Sequence, residues 1–329
     1  MARAQRRQFL IVIGALLAAP TRAISPESGK VWQIGYVHLR SGPSERDEAF
    51  RAELRRLGYV EGQNLAIIDR WTSRALDRLP EIAAEFVRLK VDAIVASSRQ
   101  ATDAASRATS TIPIVMSGVI DPVGAGLIQT LAHPGANVTG VSTTVVDLTG
   151  KRLELLRDLL PDATKIGVLV GGTSAGDTLL LLDPVRVAAQ KLRLELVVEY
   201  ARTVTDYPGA IEAIKRRGGQ GLFLFRATSS EIDNRKLIVT LVAKARLPAI
   251  YDVQEFVNAG GLMSYGYNVN ELYRRAASYI DRIFKGARPA ELPVEQPSTF
   301  ELVINSKAAA EIGLKIPQSL LLRADRVIQ

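Results

Sequence analysis

With no cysteine and only two histidines, His38 and His133, this 329-residue chain has few of the residues that catalysis uses. It has no thiolate to act as nucleophile, close a disulfide or hold zinc or an iron–sulfur cluster, and too few imidazoles for a histidine-rich metal centre. The serines lack activation as well. There is no G-x-S-x-G turn, and Ser117 and Ser264 have no histidine near in sequence to serve as base. Gly124-Ala-Gly126 is not followed by a third glycine at dinucleotide spacing, and no G-x-x-x-x-G-K-[ST] run occurs. The residues therefore predict no catalytic group, no metal and no cofactor.

What the chain does carry is binding chemistry, gathered in short loops after apolar runs. Ser97, Ser98 and Thr102 straddle the start of a predicted helix. Their hydroxyls either cap that helix or, with its unpaired N–H groups, accept a carboxylate. Asp121 and Asp252 each follow a strand and compete to hold an ammonium, although Asp121-Pro122 also suits the start of a helix. Gly171-Gly-Thr173-Ser174 is a glycine-rich turn that either cradles an anion or only reverses the chain. Ser117, Arg226 and His38 complete the set at three further strand ends, His38 being ligand-facing or structural. Tyr36, Trp71, Tyr251 and Tyr265 suit the core or the rim of a site.

The elements that must position these residues alternate regularly. Ile34–His38, Leu65–Trp71, Ala93–Ala96 and Ile114–Met116 read as strands, with helices over Ser44–Leu57, Leu76–Leu89 and Gln100–Thr109. The Gly/Pro/Asn-rich stretch His133–Gly140 marks a crossing between two lobes. The pattern then restarts: strands at Lys165–Val170, Leu194–Ala201, Gly221–Phe225 and Pro248–Tyr251 alternate with helices at Thr149–Leu160, Pro184–Leu192, Tyr207–Arg217 and Glu231–Ala245. A last helix, Asn270–Phe284, leads into a proline-punctuated tail. This is an α/β chain of two Rossmann-like parallel-sheet lobes joined by crossing segments. Ligands of such sheets bind beyond the carboxyl ends of the strands, so two facing lobes make a cleft.

Composition agrees, at 47% hydrophobic and 23% charged. The net charge of +8 hints at nucleic acid until the charges are located. Half of it comes from Arg3, Arg6, Arg7 and Arg22, which flank the eleven-residue apolar run Phe9–Ala19. That run is well short of the ~20 residues a membrane span needs and matches a secretory leader over 1–23, by the general or the twin-arginine route. A cytosolic N-terminal helix is the alternative. The other basic residues are interspersed with acids, as on the helix containing Lys151, Arg152, Glu154, Arg157 and Asp158, which reads as a solvated face. Lys215-Arg216-Arg217 reads as a surface cluster at a helix end, and no nucleic-acid partner is expected. Without a cysteine, no lipid anchor is expected either.

Asp121-Pro-Val-Gly-Ala-Gly-Leu-Ile-Gln-Thr-Leu-Ala-His-Pro-Gly-Ala-Asn-Val-Thr-Gly140 resembles the exported substrate-binding proteins of ABC transporters, in the family that includes tryptophan- and tyrosine-type binders. The resemblance continues through Lys151-Arg-Leu-Glu-Leu-Leu, Ala259-Gly-Gly-Leu-Met-Ser264-Tyr-Gly266, Leu292-Pro-Val-Glu-Gln-Pro297, Phe300–Asn305 and Ile316–Asp325, essentially the whole mature chain. It implies a type I periplasmic-binding-protein fold, with lobe 1 at 31–140 plus about 267–290 and lobe 2 at 141–264 plus about 298–329. It also implies Ser264 and Tyr265 near the hinge, a small organic solute such as an amino acid or related carboxylate, a membrane permease as partner, and a monomer free in the periplasm. The sequence departs from its relatives in two ligand loops: Gly171-Gly172 stands where they often carry Asn-Pro, and Ser97-Ser98 where they often carry Gly-Thr. The resemblance therefore does not itself assign the solute. A sensor feeding a membrane signalling protein and an exported hydrolase or isomerase using Asp121 and Asp252 are the competing readings.

Overall fold

The computed structural model describes residues 29–143, 148–171, 175–225 and 229–329, without the side chains of 175–181, 229 and 230. The leader assigned to 1–23 and the candidate residues Thr173, Ser174 and Arg226 lie outside this description.

The first half runs β1 (Trp32–His38), α1 (Glu45–Arg56), β2 (Leu65–Trp71), α2 (Leu79–Arg88), β3 (Ala93–Ala96), α3 (Arg99–Ala108), β4 (Ile114–Ile120) and β5 (Val138–Thr143). Its five strands form an all-parallel sheet in the order β2-β1-β3-β4-β5. Both faces are covered, which is why these strands read as near-continuous apolar runs. Val37, Ile94 and Met116 pack with Ile82 and Phe86 of α2 and Ala101 and Ala105 of α3. Ile34, Tyr36, Val95 and Val115 pack on the other face with Phe50 and Leu54 of α1.

The expected crossing at His133–Gly140 is corrected by β5, which pairs with β4 in the first sheet from Val138 to Thr143. The glycine and asparagine serve that pairing. Gly140 has φ +126 and a Cβ there would stand 2.3 Å from Met116 O, while Asn137 ties the entry loop to Thr109 O and Ile112 O. The chain changes sheets only after Thr143.

The second half runs α4 (Thr149–Leu159), β6 (Lys165–Gly171), α5 (Ala175–Lys191), β7 (Glu195–Ala201), α6 (Tyr207–Arg216), β8 (Gly221–Leu224), α7 (Ser229–Asp233), α8 (Arg235–Lys244), β9 (Ala249–Tyr251), α9 (Gln254–Asn258) and β10 (Met263–Gly266). The order β7-β6-β8-β9-β10 repeats that of the first sheet. Helix α10 (Val269–Phe284) then returns to pack on α1, β4 and β5. The tail goes back to the second sheet as β11 (Glu301–Asn305), α11 (Ser306–Glu311), α12 (Gln318–Leu321) and β12 (Arg326–Ile328), with β11 antiparallel to β10. These two strands lay beyond the alternating pattern legible in the sequence.

Candidate ligand-binding cleft

In each sheet the strand order reverses at the first strand, so the crevice falls between β1 and β3 in one lobe and between β6 and β8 in the other. In the first lobe this edge is built on a buried charge network. His38, fully buried at the end of β1, bonds through Nε2 to Asp69 Oδ1 at 2.9 Å and through Nδ1 to Arg40 at 3.2 Å. Arg40 forks onto both Asp47 oxygens at 2.7 and 2.9 Å, and Asp47 in turn accepts from the Ser44 N–H at the head of α1. Burial pulls His38 below its ordinary pKa against the pull of Asp69. Burial would raise Asp47, but Arg40 outweighs it and holds the carboxyl below its ordinary range. His38 therefore braces the β1–α1 loop from behind and is not on the cleft wall.

That loop faces the second lobe across a cavity of about 280 Å³, close to the size of a small-ligand pocket. Its described lining includes residues 40–46 on one side and Ile232, Asp233, Arg235 and Glu255 on the other. Two ion pairs join the lobes here, through Arg46, Glu255 and Asp233 of its lining. Arg46 of α1 donates through Nε and an Nη nitrogen to Glu255 Oε1 of α9 at 3.2 and 2.8 Å. The two side chains are only 12% and 10% exposed. Burial opposes the Arg46 charge, but Glu255 outweighs it and raises the guanidinium above its ordinary range. Glu255 Oε2 is buried and has no hydrogen-bond partner among the described residues. Arg74, carried on the left-handed pair Ser73 (φ 50) and Arg74 (φ 70), meets Asp233 at 3.1 Å in a pair that is 42% and 35% exposed.

The sequence-derived candidates divide on inspection. Ser97 Oγ donates to Val37 O at 3.1 Å, Ser98 Oγ accepts from Ala101 N at 3.1 Å, and Thr102 Oγ1 donates to Ser98 O at 2.8 Å. All three hydroxyls thus serve the backbone at the head of α3, and fully buried Thr102 does not reach the cleft. The Ser98 hydroxyl still has a proton to donate, since capping uses only its acceptor. Asp121 is exposed at φ 42 and accepts from Gly124 N at 2.9 Å, heading a turn where a helix was the alternative expectation. Ser117, at a bulge in β4, is buried and its hydroxyl has no partner. Asp252 is buried just past β9, and Ser264 is buried in β10 between Tyr251 and Val303.

Arg152 corrects the solvated-face expectation for α4, being buried at 3% exposure. The signal was present but masked by charge type: Leu155, Leu156 and Leu159 follow at helical spacing on the buried stripe. Arg46, Glu255, Arg74 and Asp233 had no local signal, since each pair joins distant parts of the chain. Lys215, Arg216 and Arg217 are exposed at the end of α6, as expected. Among the described residues no group of three acidic or histidine side chains is placed to hold a metal, and no helix is long and apolar enough to cross a membrane.

Two open sheets of one strand order, carboxyl edges facing across a small polar cavity and joined by crossing segments, define a type I periplasmic binding protein. The family model for ABC transporter substrate binding proteins matches residues 41–328, so the chain belongs to that family and is the solute-binding component of an ABC system. A tyrosine-binding protein of Clostridioides difficile is 31% identical over 293 residues, covering 88% of this chain and 83% of that protein. A Streptococcus pneumoniae ABC domain solved in complex with L-Trp superposes with a TM-score of 0.78 at 25% identity, covering 91% of this chain and all of the other. The ligand-free, open structure of a C. difficile substrate-binding protein with adhesive properties has the same fold at TM-score 0.67 and 24% identity, again over 91% of this chain and all of that one.

Proposed function

We propose that this protein is a periplasmic receptor that captures a small zwitterionic solute, of amino-acid type, by closing its two lobes and delivers it to an inner-membrane permease. The observation that carries the reading is the Arg46–Glu255 bond, a buried contact that joins the two lobes across the cleft. In this reading the lobes keep the expected bounds, 31–140 plus about 267–290 and 141–264 plus about 298–329, except that lobe 1 extends to Thr143, where β5 ends, and lobe 2 to Gly266, where β10 ends. Residues 1–23 direct export, by either route, and the mature monomer carries no lipid and turns nothing over. Ser98 and Ser117 meet the solute from lobe 1. Asp252 and the Glu255 oxygen that has no partner among the described residues are the acceptors for an ammonium.

Thermal melting and calorimetry of the purified protein with L-tyrosine, L-tryptophan, the other amino acids, small acids and heterocycles test the reading. A true solute at a hundredfold excess over Kd adds about 2.7 kcal/mol, a rise on the order of 5 °C. If no compound in the panel raises the melting temperature, the receptor reading is overturned.

A further inference from the structure

The buried stripe of α4 contains a cation whose charge is left incompletely partnered. Arg152 donates from Nε to Tyr265 O at 2.7 Å, which uses one of five guanidinium donors. Its two terminal nitrogens carry no hydrogen bond and no ion pair among the described residues, although the side chain has left water almost completely. Desolvation pulls its ionisation below the ordinary arginine range, and Asp252, Tyr267 and Tyr265 return only part of the loss. A guanidinium in this state is costly unless an anion completes it.

The surroundings show where that anion would come from. Arg152 lies in the first turns of α4, directly after the chain enters the second lobe. Its fork points along the carboxyl end of β10: one terminal nitrogen is 3.6 Å from where a Cβ on Gly266 would stand. Ligands of such a sheet lie beyond the carboxyl ends of its strands, and β10 presents that end two strands from the β6–β8 crevice. Forked, two-bond recognition of a carboxylate is the chemistry for which a guanidinium is built.

We propose that Arg152 is the carboxylate anchor of the binding site, gripping the solute's carboxylate from lobe 2 through its two terminal nitrogens. This moves the carboxylate away from the Ser97–Thr102 turn, whose hydroxyls serve the backbone. It rests on the receptor reading above and adds the group by which the solute is held.

The test uses three probe series on the intact protein: L-tyrosine, L-tyrosinamide and tyramine, with the tryptophan equivalents alongside. Wild type should bind the acid at least tenfold more tightly than the amide or the decarboxylated amine. In Arg152→Met that ratio should collapse towards one, and Arg152→Lys should retain part of it. Equal binding of acid and amide by wild type, or a preserved ratio in Arg152→Met, overturns the anchor while leaving the receptor reading intact. If wild type binds none of these probes, the same acid, amide and amine comparison is made with the solute that the melting panel identifies, and equal binding of that acid and its amide overturns the anchor; a panel in which nothing binds overturns both. The wild-type comparison needs no variant, and Arg152→Lys decides the matter should Arg152→Met fail to fold.

Discussion

Arg46 and Glu255, 209 residues apart in sequence, join the two lobes through a bond of 2.8 Å at the mouth of the cleft. Because the pair is mostly removed from water, its charge-assisted bonds are worth roughly 1.5–3 kcal/mol rather than the fraction of that expected on a surface. An open protein cannot make them. The bond therefore biases the open–closed equilibrium towards the form that holds the solute.

Glu255→Gln should weaken solute binding by on the order of tenfold, chiefly through faster release, since removing one partner leaves Arg46 buried with its charge uncompensated. Stopped-flow dissociation and calorimetry read this directly. Unchanged release in Glu255→Gln would show that closure does not depend on the pair.

Arg74→Ala should matter far less, because the Arg74–Asp233 pair is solvent-screened and contributes about 0–1 kcal/mol. An affinity change of no more than about fivefold is expected. A loss as large as that of Glu255→Gln would reverse the ranking of the two contacts.

Gly266→Ala should damage the crossing from β10 to α10. A Cβ there would stand 1.9 Å from the backbone oxygen of Asp252, an atom that cannot swing aside. The cost is roughly 1–3 kcal/mol or more, read as a fall of several degrees in melting temperature. Gly42→Ala, in the β1–α1 loop with nothing within 4 Å of the added methyl, is the matched control and should melt like wild type.

Acidification should destabilise the fold from just below neutrality. The His38 pKa lies below 6.5 when folded, so the unfolded chain takes up its proton first and stability is lost as pH falls from 6.5 towards the folded value. Asp47 adds a second loss at lower pH, as its depressed folded pKa is approached. His38→Gln should flatten the limb between pH 6.5 and 5 in a plot of melting temperature against pH. An unaltered limb would assign it to other groups.

Ser117→Ala removes a hydroxyl that makes no hydrogen bond among the described residues, so stability of the unliganded form should be unchanged or slightly higher. If the hydroxyl meets the solute, affinity should fall roughly tenfold. Loss of stability without loss of affinity would make Ser117 a packing residue.

The local elements were legible in the sequence because they answer to local rules. Leu65–Trp71 and Ala93–Ala96 are strands over the very residues expected, Ala93–Ala96 as a short apolar run buried throughout and Leu65–Trp71 as a half-buried edge strand led by Leu65, Ile67 and Ile68. Ser98 caps α3 as its residue type suggests. Failures came where a residue's role depends on something distant. His133–Gly140 looked like a linker from composition, yet pairing with β4 turns its end into a strand. Arg152 looked solvated from charge type, yet the second sheet covers the stripe on which it lies.

By itself, the sequence determined the alternation of strands and helices, the two-lobed class and the poverty of catalytic groups, all properties of residue type and short-range spacing. Only the tertiary structure decided which charges face one another across the cleft. Arg46 meets Glu255, Arg74 meets Asp233, and Arg152 keeps its terminal nitrogens without a partner among the described residues, because folding brings together residues that no local periodicity relates, and burial then fixes what each pairing is worth.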